Sequence, residues 1–140
     1  MHNKFTYGKE ERLKSRKLIG SVFGSGKSFL QFPIKVTYLL TDSTQDSPVK
    51  AGVGVSTRYF KKAVDRNRVK RLLRETYRLN KQALTDYCTE NNVHIAIFFL
   101  YVDKNLPEYG PLEIVMQSTM KKLMGGLKKK HSEDKSQENK

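Results

Sequence analysis

The densest run of ligand-holding side chains is RYFKKAVDRNRVKRLLRETYR, at positions 58–78. At about 100° per residue, Asn67, Lys70, Arg71, Arg74 and Arg78 project opposite a stripe built on Val69 and Leu73, and Arg66 and Arg68 flank that face near the helix start. Such a set is suited to holding phosphates. The planar Arg fork grips two phosphate oxygens at once, while Lys acts as a point charge. Asn67 can donate and accept, so it could read a sugar or base edge or fix a neighbouring Arg. The plainer alternative is a solvated helix face. Exposed faces ordinarily mix signs at i, i+4, yet here only Asp65 and Glu75 interrupt the cations. Nucleic-acid binding is favoured.

Nothing comparable points to catalysis by the chain itself. His2, His94 and His131 are widely separated and Cys88 has no cysteine partner, so the spacing of a tetrahedral zinc site is missing. Asp42, Asp46, Asp65 and Asp103 form no pair spaced for acid–base or Mg²⁺ chemistry and read as turn or cap residues. Gly24-Ser25-Gly26-Lys27-Ser28 lacks the full phosphate-loop spacing and a preceding strand. No catalytic residue and no metal ligand is assigned.

The composition agrees with the basic segment. The 140 residues carry 27 Lys and Arg against 14 Asp and Glu, a formal charge of +13. Such an excess repels itself in a compact state and calls for a polyanionic partner; nucleic acid comes first and an anionic membrane surface second. A lone cysteine excludes an intrachain disulfide framework. Met1 to Tyr7 lacks a signal-peptide core, and the longest apolar stretch, Ile95 to Val102, is too short to span a bilayer. A soluble cytoplasmic protein with no membrane partner is expected.

Several elements must position the basic face. Residues 9–24 predict a short amphipathic helix with Leu13, Leu18, Ile19, Val22 and Phe23 on its apolar side, ending near Gly24 and Gly26. Ile34, Val36 and Tyr38 alternate with Lys35 and Thr37 as in a strand, and Asp42 to Pro48 has the composition of a hairpin loop. Val49, Ala51, Val53 and Val55 share one face of a second strand, with Gly52 and Gly54 on the other face leaving room for a close neighbour. Lys62 to Leu84 reads as one helix with the stripe Val69, Leu72, Leu73, Thr76 and Tyr77. Val93 to Leu100, apolar on both faces, predicts a central strand. Gly110-Pro111 opens a last helix whose stripe is Leu112, Val115, Met116, Thr119, Met120 and Leu123. The order α-β-β-α-β-α implies an α/β (α+β) two-layer sandwich with one small sheet. Residues 1–8 would be an N-terminal extension, 9–127 a single domain, and 128–140, which lack any apolar residue, a disordered tail.

Ala63-Val64-Asp65-Arg66-Asn67-Arg68-Val69-Lys70-Arg71-Leu72-Leu73-Arg74-Glu75 resembles the signature of the bacterial ribonuclease P protein family, with its Arg-Asn-Arg core. Glu11-Arg12-Leu13-Lys14, Val22-Phe23, Gly26-Lys27-Ser28 and Gly52-Val53-Gly54-Val55-Ser56 also fall where that family has related segments, so the resemblance covers about residues 9 to 127. Leu18 stands where relatives often have an aromatic, and Thr57-Arg58-Tyr59-Phe60 replaces a more usual lysine pair.

The resemblance implies an RNA-binding subunit of an endoribonuclease. In the family, the ribonuclease P RNA holds Mg²⁺ and performs the hydrolysis that removes the 5′ leader of precursor tRNA. Carried onto this chain, Arg66, Asn67, Arg68, Lys70, Arg71, Arg74 and Arg78 would contact that RNA, and Phe23, Lys35 and Tyr38 would line a cleft for the leader. Phe23 suits stacking on the leader and packing in the core equally well. The resemblance also implies a left-handed βαβ crossover around the signature helix, where general chirality rules expect a right-handed one, and no obligate protein partner. A ribosomal-type structural RNA-binding protein is the alternative from another class.

Overall fold

The computed structural model describes residues 7–41 and 47–138. Among them, four strands form one sheet: β1 (Lys27–Gln31), β2 (Ile34–Thr41), β3 (Val49–Val55) and β4 (His94–Tyr101), in the spatial order β1-β2-β4-β3. β1 and β2 are antiparallel, β2 and β4 are antiparallel, and β3 runs parallel to β4. The helices are α1 (Arg16–Ser25), α2 (Ala63–Asn80), α3 (Gln82–Glu90) and α4 (Tyr109–Glu138). This is the expected α+β class with one small sheet.

β4 is central, as its apolar character on both faces predicts. Ile95, Ile97, Phe99 and Tyr101 face a core closed by Val69, Leu72, Leu73 and Tyr77 of α2 and by Leu112, Met116, Met120, Leu123 and Leu127 of α4. Ala96 and Phe98 face the other way, into a smaller cluster with Leu13, Val22, Leu18, Ile19 and Leu39. The sheet is therefore covered on both faces, with α1 adding a partial third layer to the expected two. The buried positions of α2 are Val69, Leu72, Leu73, Thr76 and Tyr77, the stripe the periodicity predicts.

Gly52 and Gly54 make room for Phe98. A Cβ at Gly54 would stand 2.7 Å from Phe98 Cζ, and one at Gly52 would stand 3.2 Å from Phe98 Cδ2. The ring therefore lies across β3, on the face where the two glycines leave a shallow trough.

Five details depart from the sequence reading. Residues 9–24 are not one helix: a 3₁₀ turn over Lys9–Glu11 is followed by extended chain, and Ser15 caps a new helix by accepting from the Leu18 amide at 3.2 Å. In the extended part Leu13 N donates to Ala51 O at 2.9 Å, so pairing along the outer edge of β3 outcompetes helix formation there. β1 is an added strand, missed because its burial alternates only weakly. β2 and β3 are not a hairpin, since β4 lies between them; of the expected loop, residues 42–46 lie outside the described residues. The long helix stops at Asn80 and restarts at Gln82, with Asn80 Nδ2 donating to Thr76 O at 2.7 Å and Lys81 buried between the two.

The fifth concerns the ends. α4 continues as helix to Glu138, where the composition leads one to expect disorder from Lys128. Helix-favouring Lys, Glu and Gln can extend an already nucleated helix at little cost. Leu127 is the last described residue of the chain that is buried. Residues 1–6 lie outside the described residues. Tyr7, placed within the expected extension, packs edge-on against Tyr77 with centroids 5.8 Å apart.

Two glycine substitutions test this packing. Gly54→Ala forces the Phe98 ring aside and should destabilise by roughly 1–3 kcal/mol, the usual range for overpacking. Gly20→Ala, at a helical position with nothing within 4 Å of the added methyl, should stabilise by up to about 1 kcal/mol. Urea denaturation of both variants measures the two signs, and a neutral Gly54→Ala would show that Phe98 does not need the trough.

Candidate nucleic-acid interface

α2 holds the basic segment rigidly because its other side is core. Leu73 and Val69 are fully buried, so the helix cannot rotate without exposing them, and each such side chain is worth about 1.5–3 kcal/mol of burial. Asn67, Arg68, Arg71 and Arg74 are consequently exposed and Lys70 is half-buried. These five positions form one outward face.

Two of the expected contact residues have other duties. The Arg66 guanidinium donates to Phe60 O at 2.9 Å and to Lys61 O at 2.7 Å. It thereby clamps the segment before α2, whose Phe60 ring is buried beside Tyr101 at 6.1 Å between centroids. Arg78, at the far end, lies near the start of α4. Burial raises the pKa of the Tyr109 hydroxyl there, Glu113 and Glu75 add to the rise, and Arg78 opposes it. Arg78 therefore sits in a mixed-charge neighbourhood.

The three residues expected to line a leader cleft do not share one surface. Phe23 is 51 % exposed and its ring meets Phe98 edge-on at 5.0 Å, on the α1 side of the sheet. Lys35, opposite Leu100 in register, is exposed on that same side. Tyr38 is opposite Ile97 and belongs to the other face, where its ring meets Phe29 at 6.4 Å. Adjacent to Lys35, Leu30 is 54 % exposed, so the α1 side carries an open strip of Phe23, Lys35 and Leu30.

The sequence reading gave no role to the contacts that tie the N-terminal turn to the junction of α2 and α3. Lys81 is only 4 % exposed, and its ammonium pairs with Glu11 across 70 positions of chain. Glu11 Oε2 also accepts from Gly8 N at 2.9 Å. The Tyr7 hydroxyl donates to Ala51 O, and the Arg12 guanidinium lies 5.4 Å from the Tyr7 ring centroid. Burial pushes the Tyr7 pKa up to about 12 although Arg74 and Arg12 both lower it, so Tyr7 remains a neutral donor between two cations. An acidic residue and a distant lysine in a sequence carry no mark of such pairing.

Other chemistry is sparse. Cys88 is buried, and burial pushes its thiol up to about 11, so it is not a thiolate at neutral pH. Among the described residues, no three His, Cys, Asp or Glu side chains gather where they could share a metal ion, and no helix is long and apolar enough to cross a membrane.

A small α+β domain with an arginine-rich helix packed on one sheet face and an open strip on the other has the clustered positive charge of the class of basic domains from which polyanion binders are drawn. Comparison with known proteins gives the particular family. The sequence model described as Ribonuclease P matches residues 7–109. The chain is 39% identical over 123 residues to a ribonuclease P protein component of Porphyromonas gingivalis, covering 88% of this chain and 90% of that one. It is 38% identical over 111 residues to the ribonuclease P protein component of Chlorobium phaeobacteroides, covering 72% and 76%. Its fold is similar to that of the Staphylococcus aureus RNase P protein, with a TM-score of 0.56 and 18% identity over 84% of this chain and 95% of the other. The chain belongs to the ribonuclease P protein family, whose members are components of an endoribonuclease that processes tRNA.

The geometry separates the arginines experimentally. Arg66→Ala removes two charge-assisted bonds to backbone and should lower stability by about 1 kcal/mol or somewhat more. Arg68→Ala and Arg71→Ala, fully on the exposed face, should leave the melting temperature within error while weakening RNA binding. Thermal melts followed by circular dichroism, run beside RNA-binding isotherms, check this; equal stability of all three variants would remove the clamp assigned to Arg66.

Proposed function

We propose that the chain is the RNA-binding subunit of a ribonuclease P holoenzyme, assisting a catalytic RNA in removing the 5′ leader of precursor tRNA to leave the mature 5′ end. One observation carries this reading: α2 buries its apolar stripe completely and turns Asn67, Arg68, Arg71 and Arg74 together to the exterior. Four neighbouring positions on a helix that cannot rotate give a fixed ladder for phosphates. Arg forks hold the oxygens bidentately and Asn67 supplies the mixed donor and acceptor that a sugar or base edge needs. Lys70 adds charge at the margin, and Arg66 and Arg78 support the two ends of the same helix.

The leader is assigned to the α1 side of the sheet. Phe23 offers a ring for base stacking and Lys35 a charge for the backbone, the pairing that single-strand sites use. Tyr38, on the opposite face, acts on that strip only by fixing β1 and β2. In this reading the RNA subunit holds Mg²⁺, which supplies the Lewis acid and the activated water for hydrolysis. The protein's share is to neutralise phosphate repulsion and to hold the leader in line. The holoenzyme is placed in the cytoplasm, with RNA as the only obligate partner.

Reconstitution tests this directly. At low Mg²⁺, where phosphate repulsion is least screened, adding the chain to ribonuclease P RNA should stimulate 5′-leader cleavage, and the chain alone should cleave nothing. Phe23→Ala should weaken binding of leader-bearing precursor by about 1–3 kcal/mol, the range for one base–aromatic stack, and leave mature tRNA binding unchanged. RNA binding without any stimulation of cleavage would instead indicate a structural RNA-binding protein.

A further inference from the structure

A second concentration of positive charge lies away from α2. A cavity of ≈ 350 Å³ opens where the N-terminal segment meets α1 and β3, lined by Lys9, Arg12, Lys14 and Lys50 with Glu10 as the single carboxylate in its wall. Its apolar wall is Leu13, buried, and Leu18, half-buried. α1 starts at this point, and its first turn carries Arg16 and Lys17 with no acidic residue. Helix N-termini carry partial positive charge and ordinarily attract Asp or Glu. Here the chain places cations in and beside the pocket against that preference, an arrangement relieved by an anion.

The pocket connects to the α2 face. Arg12 belongs to its wall and also lies over the Tyr7 ring; Tyr7 packs on Tyr77 of α2 and feels the charge of Arg74. Cations thus run from Lys50 and Lys14 through Arg12 to Arg74. A repeating anion fits a track of this kind better than a single small ion does. A membrane surface would require apolar side chains protruding beside the charges, whereas Leu13 and Leu18 are withdrawn into the wall.

We propose that this pocket is a second phosphodiester-backbone site, in which Lys14 and Lys50 hold phosphates of the RNA strand that continues from the α2 face, with Arg12 joining the two surfaces. The proposal rests on α2 being an RNA-binding face and extends it to a further surface. Each lost phosphate contact flattens the dependence of log K on log salt by about 0.7–0.9.

The test compares the full-length parent, Lys14→Gln/Lys50→Gln, Lys14→Arg/Lys50→Arg and Arg68→Ala for binding to a ribonuclease P RNA transcript over a salt series. The glutamine pair should bind roughly tenfold more weakly at moderate salt, with a slope flatter by about 1.5, while the arginine pair should match the parent. Circular dichroism melts confirm folding, and the single Lys14→Gln, at an exposed position, should show about half the change in slope if the pair is unstable. Unchanged affinity and slope in the glutamine variants overturn the proposal. So does saturation of the pocket by inorganic phosphate in calorimetry while RNA affinity stays at the parent level in the glutamine pair, since that describes a small-anion site. Failure of the α2 reading looks different: there, Arg68→Ala would bind like the parent or the parent itself would not bind.

Discussion

Ile95, Ala96, Ile97 and Phe99 are each fully buried, so β4 must be covered by apolar side chains on both faces and paired on both edges. The remaining architecture answers that demand. β2 and β3 supply the edges; α2 and α4 close the face of Ile95, Ile97 and Phe99; α1 and Leu13 close the face of Ala96. Because α2 meets this core through five fully or nearly buried positions, its rotation about its own axis is fixed. The outward direction of Arg68, Arg71 and Arg74 is thus a consequence of core packing, and core substitutions would act on that basic face only through the orientation of the helix.

A formal charge of +13 concentrated on few elements works against compaction. The chain offsets part of it locally. Lys81 is paired with Glu11 in a nearly buried site, Arg66 is spent on backbone carbonyls, and Arg78 lies near the carboxylates that act on Tyr109. Arg68, Arg71 and Arg74 of α2 and Lys14 at the N-terminal pocket instead stay exposed, with Glu10 the one carboxylate in the pocket wall. Charge compensated inside the fold and charge left facing outward are therefore spatially separate, which is the electrostatic form expected of a domain that meets a polyanion. Tyr7 holds the two outward surfaces together, through Ala51 of the sheet and Tyr77 of α2.

Local periodicity carried much of this in the sequence. The α2 stripe from Val69 to Tyr77 and the central place of Ile95 to Leu100 follow from spacing alone, because burial of one helix face or both strand faces leaves a regular pattern. The trough for a close neighbour was legible in Gly52 and Gly54, although Phe98 as its occupant was not. What stayed hidden depends on contacts between distant segments. Pairing of Leu13 with Ala51 turns part of an apparent helix into extended chain, and an apparently continuous helix divides at Lys81, the residue that pairs with distant Glu11. The separation of Tyr38 from Phe23 follows from strand alternation, but which face α1 covers is decided by three-dimensional packing.

Covalent footprinting of arginines and lysines, in the free chain and in its complex with ribonuclease P RNA, measures which surface meets the RNA. Protection of Arg68, Arg71 and Arg74, with Lys121 and Lys122 of α4 remaining as reactive as in the free chain, is the result expected if the orientation of α2 defines the interface. Protection confined to the α4 lysines, with the α2 arginines still fully reactive, would contradict it.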